Sequence, residues 1–523
     1  MIRDLFSTIY RIALTESKVR ARRIGSLMVI LAGAAIVWAM IPDPASGTAL
    51  LVVKAARAKY SSMTLALGAA TLIGLLFSLA GFYLVRGRVA DDIRTRMGSV
   101  IAATPVSNTG FLIGRWLGNV LFLSALALSC MATTLVLHIM RGEAPIEMTT
   151  YLSIWGLMIG PLILFTACMA LLFDSVPRLM GKLGDVLWFF VWIWMVAQID
   201  ENLPTLIGGW LPRDWIDFPG FRLIGREIAG LVGHHHFALG ISDFDASLPL
   251  LDWTHHTWAW SVICERLISA GLALLPLPLA IVLFHRFSPD RVKAKHAARR
   301  RSPLAVLNAM TAPLARFVRP LLALSTRLPG RAGQTLADVS LTLMLFPLGL
   351  VALIGCNLAG ALSPASAIGA VVLVAGACWG VLIADLSVRD HQADLGAMTA
   401  AVPGGQLSGM VRQMMAAVLL AVAMNAVVLL KWLVLDPGRA GMLLAGILGL
   451  SGLMLMFGRL TRTSRLFLGL FLFWVYIASN APRVAEIDFL AVNGAANVQT
   501  AITGLMAAVL SLAIAIGWVR SRQ

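Results

Sequence analysis

Long apolar runs alternate with short polar, mostly basic segments along nearly the whole chain. A helix of about 20 residues crosses a ~30 Å hydrocarbon layer. Runs near that length occur at 24–42, 61–85, 111–138, 151–173, 185–197 and from Trp258 to His285, then at 336–356, 367–387, 407–433, 441–458, 465–480 and 499–519. The pattern predicts an all-α polytopic membrane protein with about twelve transmembrane helices, and no large soluble domain fits between the runs.

Two segments carry a different pattern. Residues 2–14 place Ile2, Leu5, Phe6, Ile9, Ile12 and Ala13 on one helical face, with Arg3, Asp4, Ser7 and Arg11 opposite, as in a helix lying in the membrane interface. Between Arg286 and Arg331 stand eleven Lys or Arg against one acid, Asp290. Within that stretch Leu304, Leu307, Met310, Leu314, Phe317, Val318 and Leu321 keep a helical spacing interrupted by Pro313 and Pro320, which predicts a second interfacial helix, the alternative being a flexible linker bound to anionic lipid headgroups. The chain then divides into a first six-span half (1–285), a basic linker (286–332) and a second six-span half (333–523). The segment 200–254 is too long for a simple turn, and short helices packed at the outer membrane face are expected there.

The connector Arg88–Arg115 is polar and charged, and it recurs. A shift of 298 positions places Asp92, Gly98, Ala102, Ala103 and Pro105 on Asp390, Gly396, Ala400, Ala401 and Pro403. That is five identities in fourteen positions, where ordinary composition gives roughly one. Both copies follow the second run of their half. With six runs per half the two halves share one orientation, so the expected plan is a pair of tandem parallel repeats.

Composition sharpens this picture. Hydrophobic residues make up 59% of the 523 and charged residues 13%. The net charge of +16 sits in alternate loops, which points to cytoplasmic span ends rather than to nucleic acid. Lys18, Arg20, Arg22 and Arg23 before the first run, and Arg520 and Arg522 at the end, place both termini in the cytoplasm, as in a bacterial plasma (inner) membrane. Lys54, Arg57 and Lys59 run against the rule, being outer on this plan. Cys130, Cys168, Cys264, Cys356 and Cys378 fall in or at the edges of apolar runs and read as small core residues. No cleavable signal pattern precedes the first run.

The connectors carry a resemblance. Arg94-Thr95-Arg96-Met97-Gly98, then Ala103-Thr104-Pro105-Val106-Ser107 and Gly114-Arg115, are similar to the coupling helix of the membrane subunits of ABC-2-type (type V) ATP-binding-cassette exporters. The second copy reads Asp394-Leu395-Gly396, Val402-Pro403-Gly404 and Arg412. It lacks the Thr before the proline and carries fewer charges. The resemblance implies an export permease for an unidentified cargo, whose partner is a separate nucleotide-binding ATPase, two copies of it, carrying ATP and Mg. It further implies that Arg88, Asp92, Arg94, Arg96, Gly98, Thr104, Pro105 and Arg115, and in the second copy Asp390, Asp394, Gly396, Pro403 and Arg412, couple to that ATPase, the first connector more strongly.

The residues themselves agree with a transport subunit that is not an enzyme. No GxxxxGK[ST] occurs, and the letters Gly404-Gly405-Gln406-Leu407-Ser408-Gly409 are in the wrong order for an ABC signature. No cofactor is expected on this chain. His234, His236, Asp243 and His255 in the outer segment are competent metal ligands, yet their spacing defines no site and a solvated loop is the better reading. Glu265 and Arg266 read as an outer interfacial ion pair or as partners of a neighbouring helix. The aromatic residues of the fifth run, Trp188 to Trp194, read as packing and interface anchors. The alternative class is a secondary transporter, since two parallel six-span halves also describe that architecture.

Overall fold

A computed structural model describes the chain apart from residues 1, 23, 199–203, 233–236, 254–257, 288–309, 394, 396–397, 399–400, 402–404, 481–483 and 522–523. It divides into two units, Met1–Lys295 and His296–Gln523. Among the described residues eight helices are long and apolar enough to cross a membrane, or nine if a pair bent at Pro347 counts as one. The chain is a helical integral membrane protein.

In the first unit the helices are α1 (Ile2–Ala21), α2 (Ile24–Met40), α3 (Ser62–Leu76), α4 (Phe82–Val85), α5 (Arg88–Arg94), α6 (Met97–Ala103), α7 (Asn108–Arg141), α8 (Met148–Ser175), α9 (Lys182–Ala197), α10 (Arg213–Ile216), α11 (Phe221–Val232), α12 (Trp260–Leu272) and α13 (Pro276–Leu283). The amphipathic helix α1 runs seven residues beyond the expected end at residue 14. It packs on α7 because two glycines there leave no room for side chains. A Cβ on Gly114 would stand 2.8 Å from Ile12 Cβ, and one on Gly118 would stand 2.8 Å from Glu16 Cβ.

One π-helical turn, Phe77–Gly81, joins α3 to α4. Helix α9 hydrogen-bonds to this region: Trp192 Nε1 donates to Leu75 O at 3.2 Å and to Ser78 Oγ at 2.9 Å, and Trp188 Nε1 donates to Leu79 O at 3.3 Å. Trp188 stacks on Phe82 with centroids 4.1 Å apart. Both tryptophans are buried while Phe190 and Trp194 are exposed, so the aromatic run divides into a packing face and an outward face.

Strands were not expected. β1 (Thr48–Val53) and β2 (Ala56–Arg57) form a hairpin, and β5 (Ala238–Asp243) pairs antiparallel with β1; β3 (Leu206–Ile207) pairs with β4 (Leu211–Pro212). Asp243 lies opposite Thr48, whereas His234, His236 and His255 lie outside the described residues. Lys54 and Ala55 both have positive φ, 51° and 66°, as a tight two-residue hairpin turn requires. Two of the three basic residues that opposed the charge rule, Arg57 and Lys59, have acidic partners at this end. Arg57 donates to both Glu143 carboxylate oxygens at 2.6 and 2.8 Å, and Lys59 Nζ lies 3.9 Å from Asp252. The Glu143 carboxylate also accepts Tyr60 N–H at 2.9 Å. Tyr60, its hydroxyl pushed up to about 12 by burial, donates to Pro42 O at 2.9 Å.

Glu265 and Arg266 do not pair with each other. Glu265 meets Arg226 of α11 at 2.6 Å, and buried Arg266 donates to the backbone carbonyls of Leu157, Asp217 and Phe218. Successive helical residues point about 100° apart, so the two side chains leave in different directions. Cys264 is exposed and Cys378 half-buried, a departure from the expectation that all five cysteines are buried.

The second unit contains α14 (Arg319–Arg327), α15 (Gly330–Leu345), α16 (Leu348–Leu362), α17 (Ile368–Ile383), α18 (Arg389–Gln392), α19 (Gly405–Met424), α20 (Ala426–Leu435), α21 (Pro437–Thr461), α22 (Arg465–Asn480) and α23 (Val498–Arg520). A run expected to cross at 336–356 is bent by 101° between α15 and α16. Phe346 leaves the helical region (φ −130°, ψ 74°) because the residue before a proline is sterically driven out of it, and Pro347 has no N–H to continue the ladder. Helices α21 and α23 pack closely through glycine, with a Cβ on Gly449 only 2.7 Å from Gly504 O. The expected interfacial helix at 304–321 is described from Met310, as a 3-10 segment at Ala312–Val318 that passes into α14.

Candidate functional site

The connector of the first unit folds into two short helices at an elbow. Gly87 (φ 94°) opens it, and its N–H donates to Asp174 Oδ2 at 2.8 Å. Arg96 (φ 61°) turns the chain between α5 and α6. Pro105 ends α6, since Thr104 before it is extended (φ −81°, ψ 153°), and Ser107 caps α7 by accepting Gly110 N–H at 3.1 Å.

Side chains of the elbow sort into inward and outward sets. Asp92 is buried and forms a short ion pair with Arg115 of α7. The Arg115 guanidinium also lies 3.4 Å from Glu16 of α1 and 4.5 Å from the centre of the Phe111 ring. Arg88 reaches the same Glu16 carboxylate at 3.1 Å. Two carboxylates and two guanidiniums therefore bind α1, α5 and α7 together where water is largely excluded, and loss of any one member leaves a buried charge uncompensated. Gly98 is buried under the Phe287 ring. Arg94, Arg96 and Pro105 are exposed, Thr104 is half-buried, and Met97, Ser99 and Val100 complete the outward face of α6. A cleft of about 470 Å³ opens between α1 and the elbow, lined among others by Arg11, Glu16, Arg88, Asp92, Arg94 and Arg115.

Behind the elbow stands Arg86, whose side chain has no exposed surface. It forms a short ion pair with Asp185 of α9, lies 3.8 Å from Asp174 of α8, and is flanked by the Phe82 and Phe173 rings at 5.1 and 5.6 Å. Arg20 of α1 donates to Leu84 O and Val85 O at 3.0 and 2.8 Å. The first residue of α5 thus follows a chain end fixed by α1, α8 and α9, which makes the elbow a rigid extension of the helices it joins.

In the second unit the matching segment is described in part. Asp394, Gly396 and Pro403 lie outside the described residues. Asp390 accepts the Gln413 amide at 3.1 Å, and Arg459 donates to the same Gln413 side chain at 2.7 Å. Arg412, expected to be the counterpart of Arg115, instead pairs with Asp338 of α15 at 2.6 Å. Helix geometry is the cause: residues 412 and 413 point about 100° apart on α19, and the one facing Asp390 is Gln413.

Several of these residues escape a reading by motif. Glu16, Arg86, Asp338, Gln413 and Phe287 belong to no motif in the sequence. Glu16 and Arg20 left a signal, because they continue the Ile9, Ile12, Ala13 stripe of α1 at three- and four-residue steps, and charges on the apolar face of an amphipathic helix must find partners. Comparison with protein-family models, curated proteins and solved structures finds no match to this chain.

Proposed function

We propose that the chain is the transmembrane permease subunit of an ATP-binding-cassette exporter, with two six-span halves fused in tandem and ATP hydrolysed on separate subunits. The observation that carries the reading is the elbow of α5 and α6. Its outer face presents Arg94, Arg96 and Pro105, while Asp92–Arg115–Glu16 and the Arg86 cluster lock its inner face to α1, α4, α7, α8 and α9. A surface held this way turns a push from a docked partner into rigid-body motion of the helices behind it. Two copies of an ATPase, carrying ATP and Mg²⁺, supply that push at the two connectors.

Twelve spans follow when the bent pair counts as one span, α20 continues α19, and the shorter apolar helices α2, α9 and α22 also cross. The parallel-repeat plan draws support from the pairing of Asp390 with Gln413 at the same 23-residue separation as Asp92 with Arg115. On this plan both connectors and both termini face the cytoplasm of a bacterial cell.

The test is co-purification from native membranes followed by ATPase assay. An ATPase subunit accompanies the chain, and Arg94→Glu with Arg96→Glu lowers its retention and its stimulation while the chain stays folded. Purification without any ATPase subunit, together with gradient-driven transport in proteoliposomes lacking ATP, overturns the reading in favour of a secondary transporter.

A further inference from the structure

We propose that Arg286 and Phe287, at the end of α13, form a latch that holds α6 in place and ties the motion of the elbow to the sixth apolar helix of the first unit. The consequence for transport rests on the permease reading; the latch itself is a property of this chain.

Helix α13 ends at Leu283, and Phe284 after it is extended (φ −66°, ψ 122°). The chain then makes an unusual corner. Arg286 and Phe287 both occupy the left-handed region, with φ of 43° and 56°, where a residue with a Cβ is disfavoured and glycine is not. The hairpin turn Lys54–Ala55 adopts positive φ too, so the need for side chains at 286 and 287 rests on what they touch.

Their contacts identify the need. Arg286 donates to Thr104 O at 3.0 Å and to Asn108 Oδ1 at 3.1 Å, which secures the end of α6 and the first residue of α7. Phe287 covers Gly98 in the first turn of α6, where a Cβ would stand 2.5 Å from the ring. The ring packs against Phe284 and Phe111 at centroid distances of 5.5 and 6.1 Å. Phe287 N–H donates to His285 Nδ1 at 3.0 Å, which fixes the corner from within. Both ends of α6 are therefore gripped from α13, by a hydrogen-bonded cation at one end and an aromatic ring at the other. Movement of α6 relative to α7 must carry the end of α13 with it or break these contacts. Gly98, one of the five residues repeated at a shift of 298, thereby acquires a physical reason in this unit: any side chain there displaces the ring.

The experiment compares hydrogen exchange over residues 97–104 in the purified full-length chain. Arg286→Gly and Phe287→Gly remove the side chains and relieve the backbone at once, so a corner that merely ends a helix changes exchange over 97–104 no more than over α8. A latch gives a different result: exchange over 97–104 rises roughly tenfold and by more than over α8, while loss of the buried Phe287 ring lowers the thermal midpoint. Gly98→Ala raises exchange over the same residues, and Phe287→Leu in that background restores it. Unchanged exchange in the glycine variants, or an increase over 97–104 no greater than over α8, overturns the latch. Phe287→Gly, assayed with the ATPase, keeps hydrolysis and loses transport. If no ATPase partner exists, that arm fails while the exchange arm still decides the latch, so the two readings fail separately.

Discussion

Gln413 donates its side-chain amide to Asp390 at 3.1 Å across a separation of 23 residues, the same separation that joins Arg115 to Asp92 in the first unit. At positions 298 apart in the chain, a cation in the first unit and a neutral amide in the second each face an aspartate. The acid is retained, and what changes is the strength with which it is held. Both bonds reach an aspartate, but only the Arg115 pair adds the attraction of opposite charges.

Arg115→Gln therefore converts the first connector to the chemistry of the second and is milder than Arg115→Ala. Removing the cation altogether leaves Asp92 and Glu16 buried beside Arg88 alone and costs about 3 kcal/mol. Thermal unfolding in detergent ranks the variants wild type, Gln, Ala. Equal midpoints for Gln and Ala contradict the assignment of Gln413 as the counterpart.

Arg86 is the more severe target. Arg86→Leu strands Asp174 and Asp185, at a cost of about 3–5 kcal/mol, and adding Asp185→Asn recovers part of the loss because one stranded charge disappears. Folded yield after membrane extraction reads this, and a double variant no better than the single one disproves the pairing.

Helix α1 docks on α7 through absent side chains. Gly118→Leu collides with Glu16 Cβ and Ala13 O, which stand 2.8 and 3.1 Å from a Cβ at that position, and overpacking of this kind costs about 1–3 kcal/mol. A cysteine placed at Ala13, buried in the wild type, becomes reactive to a soluble maleimide in that background. Continued protection shows that α1 remains docked.

The pH response of the strand end follows from Glu143. Its hydrogen bond from Arg57 holds the carboxyl below its ordinary value. A carboxylate depressed in the folded state contributes stability above its unfolded pKa, and that contribution is lost as pH falls through the folded pKa. Thermal stability is therefore insensitive to this group from neutral pH down to about 4.3, the ordinary glutamate value, and declines below it. Glu143→Gln flattens the acid decline, and identical acid limbs for the two proteins refute the assignment.

The helical runs were legible in sequence to within a few residues: α9 spans Lys182–Ala197 against an expected 185–197, and α22 spans Arg465–Asn480 as expected. Apolar periodicity and length carry that information locally. The connector was legible too, as a polar, charged stretch between two apolar runs, and Pro105 marks where α6 ends. The hairpin at 48–57 was not, since its turn uses Lys54 and Ala55 in place of the residues that usually mark positive φ. The bend at Pro347 was hidden by continuous apolarity on both sides, although the proline itself was the available signal.

The sequence by itself determined that this is a helical membrane protein, where most of its helices lie, and that one polar connector resembles another 298 positions on. Only the tertiary structure decided that Asp92 meets Arg115, that Asp390 meets Gln413 rather than Arg412, and that Phe287 closes over Gly98. Periodicity assigns a residue to a face of its own helix. Which charge or ring that face meets depends on how helices distant in the chain are brought together, and that is settled by packing at positions such as Gly114, Gly118 and Gly98, where the missing side chain sets the distance.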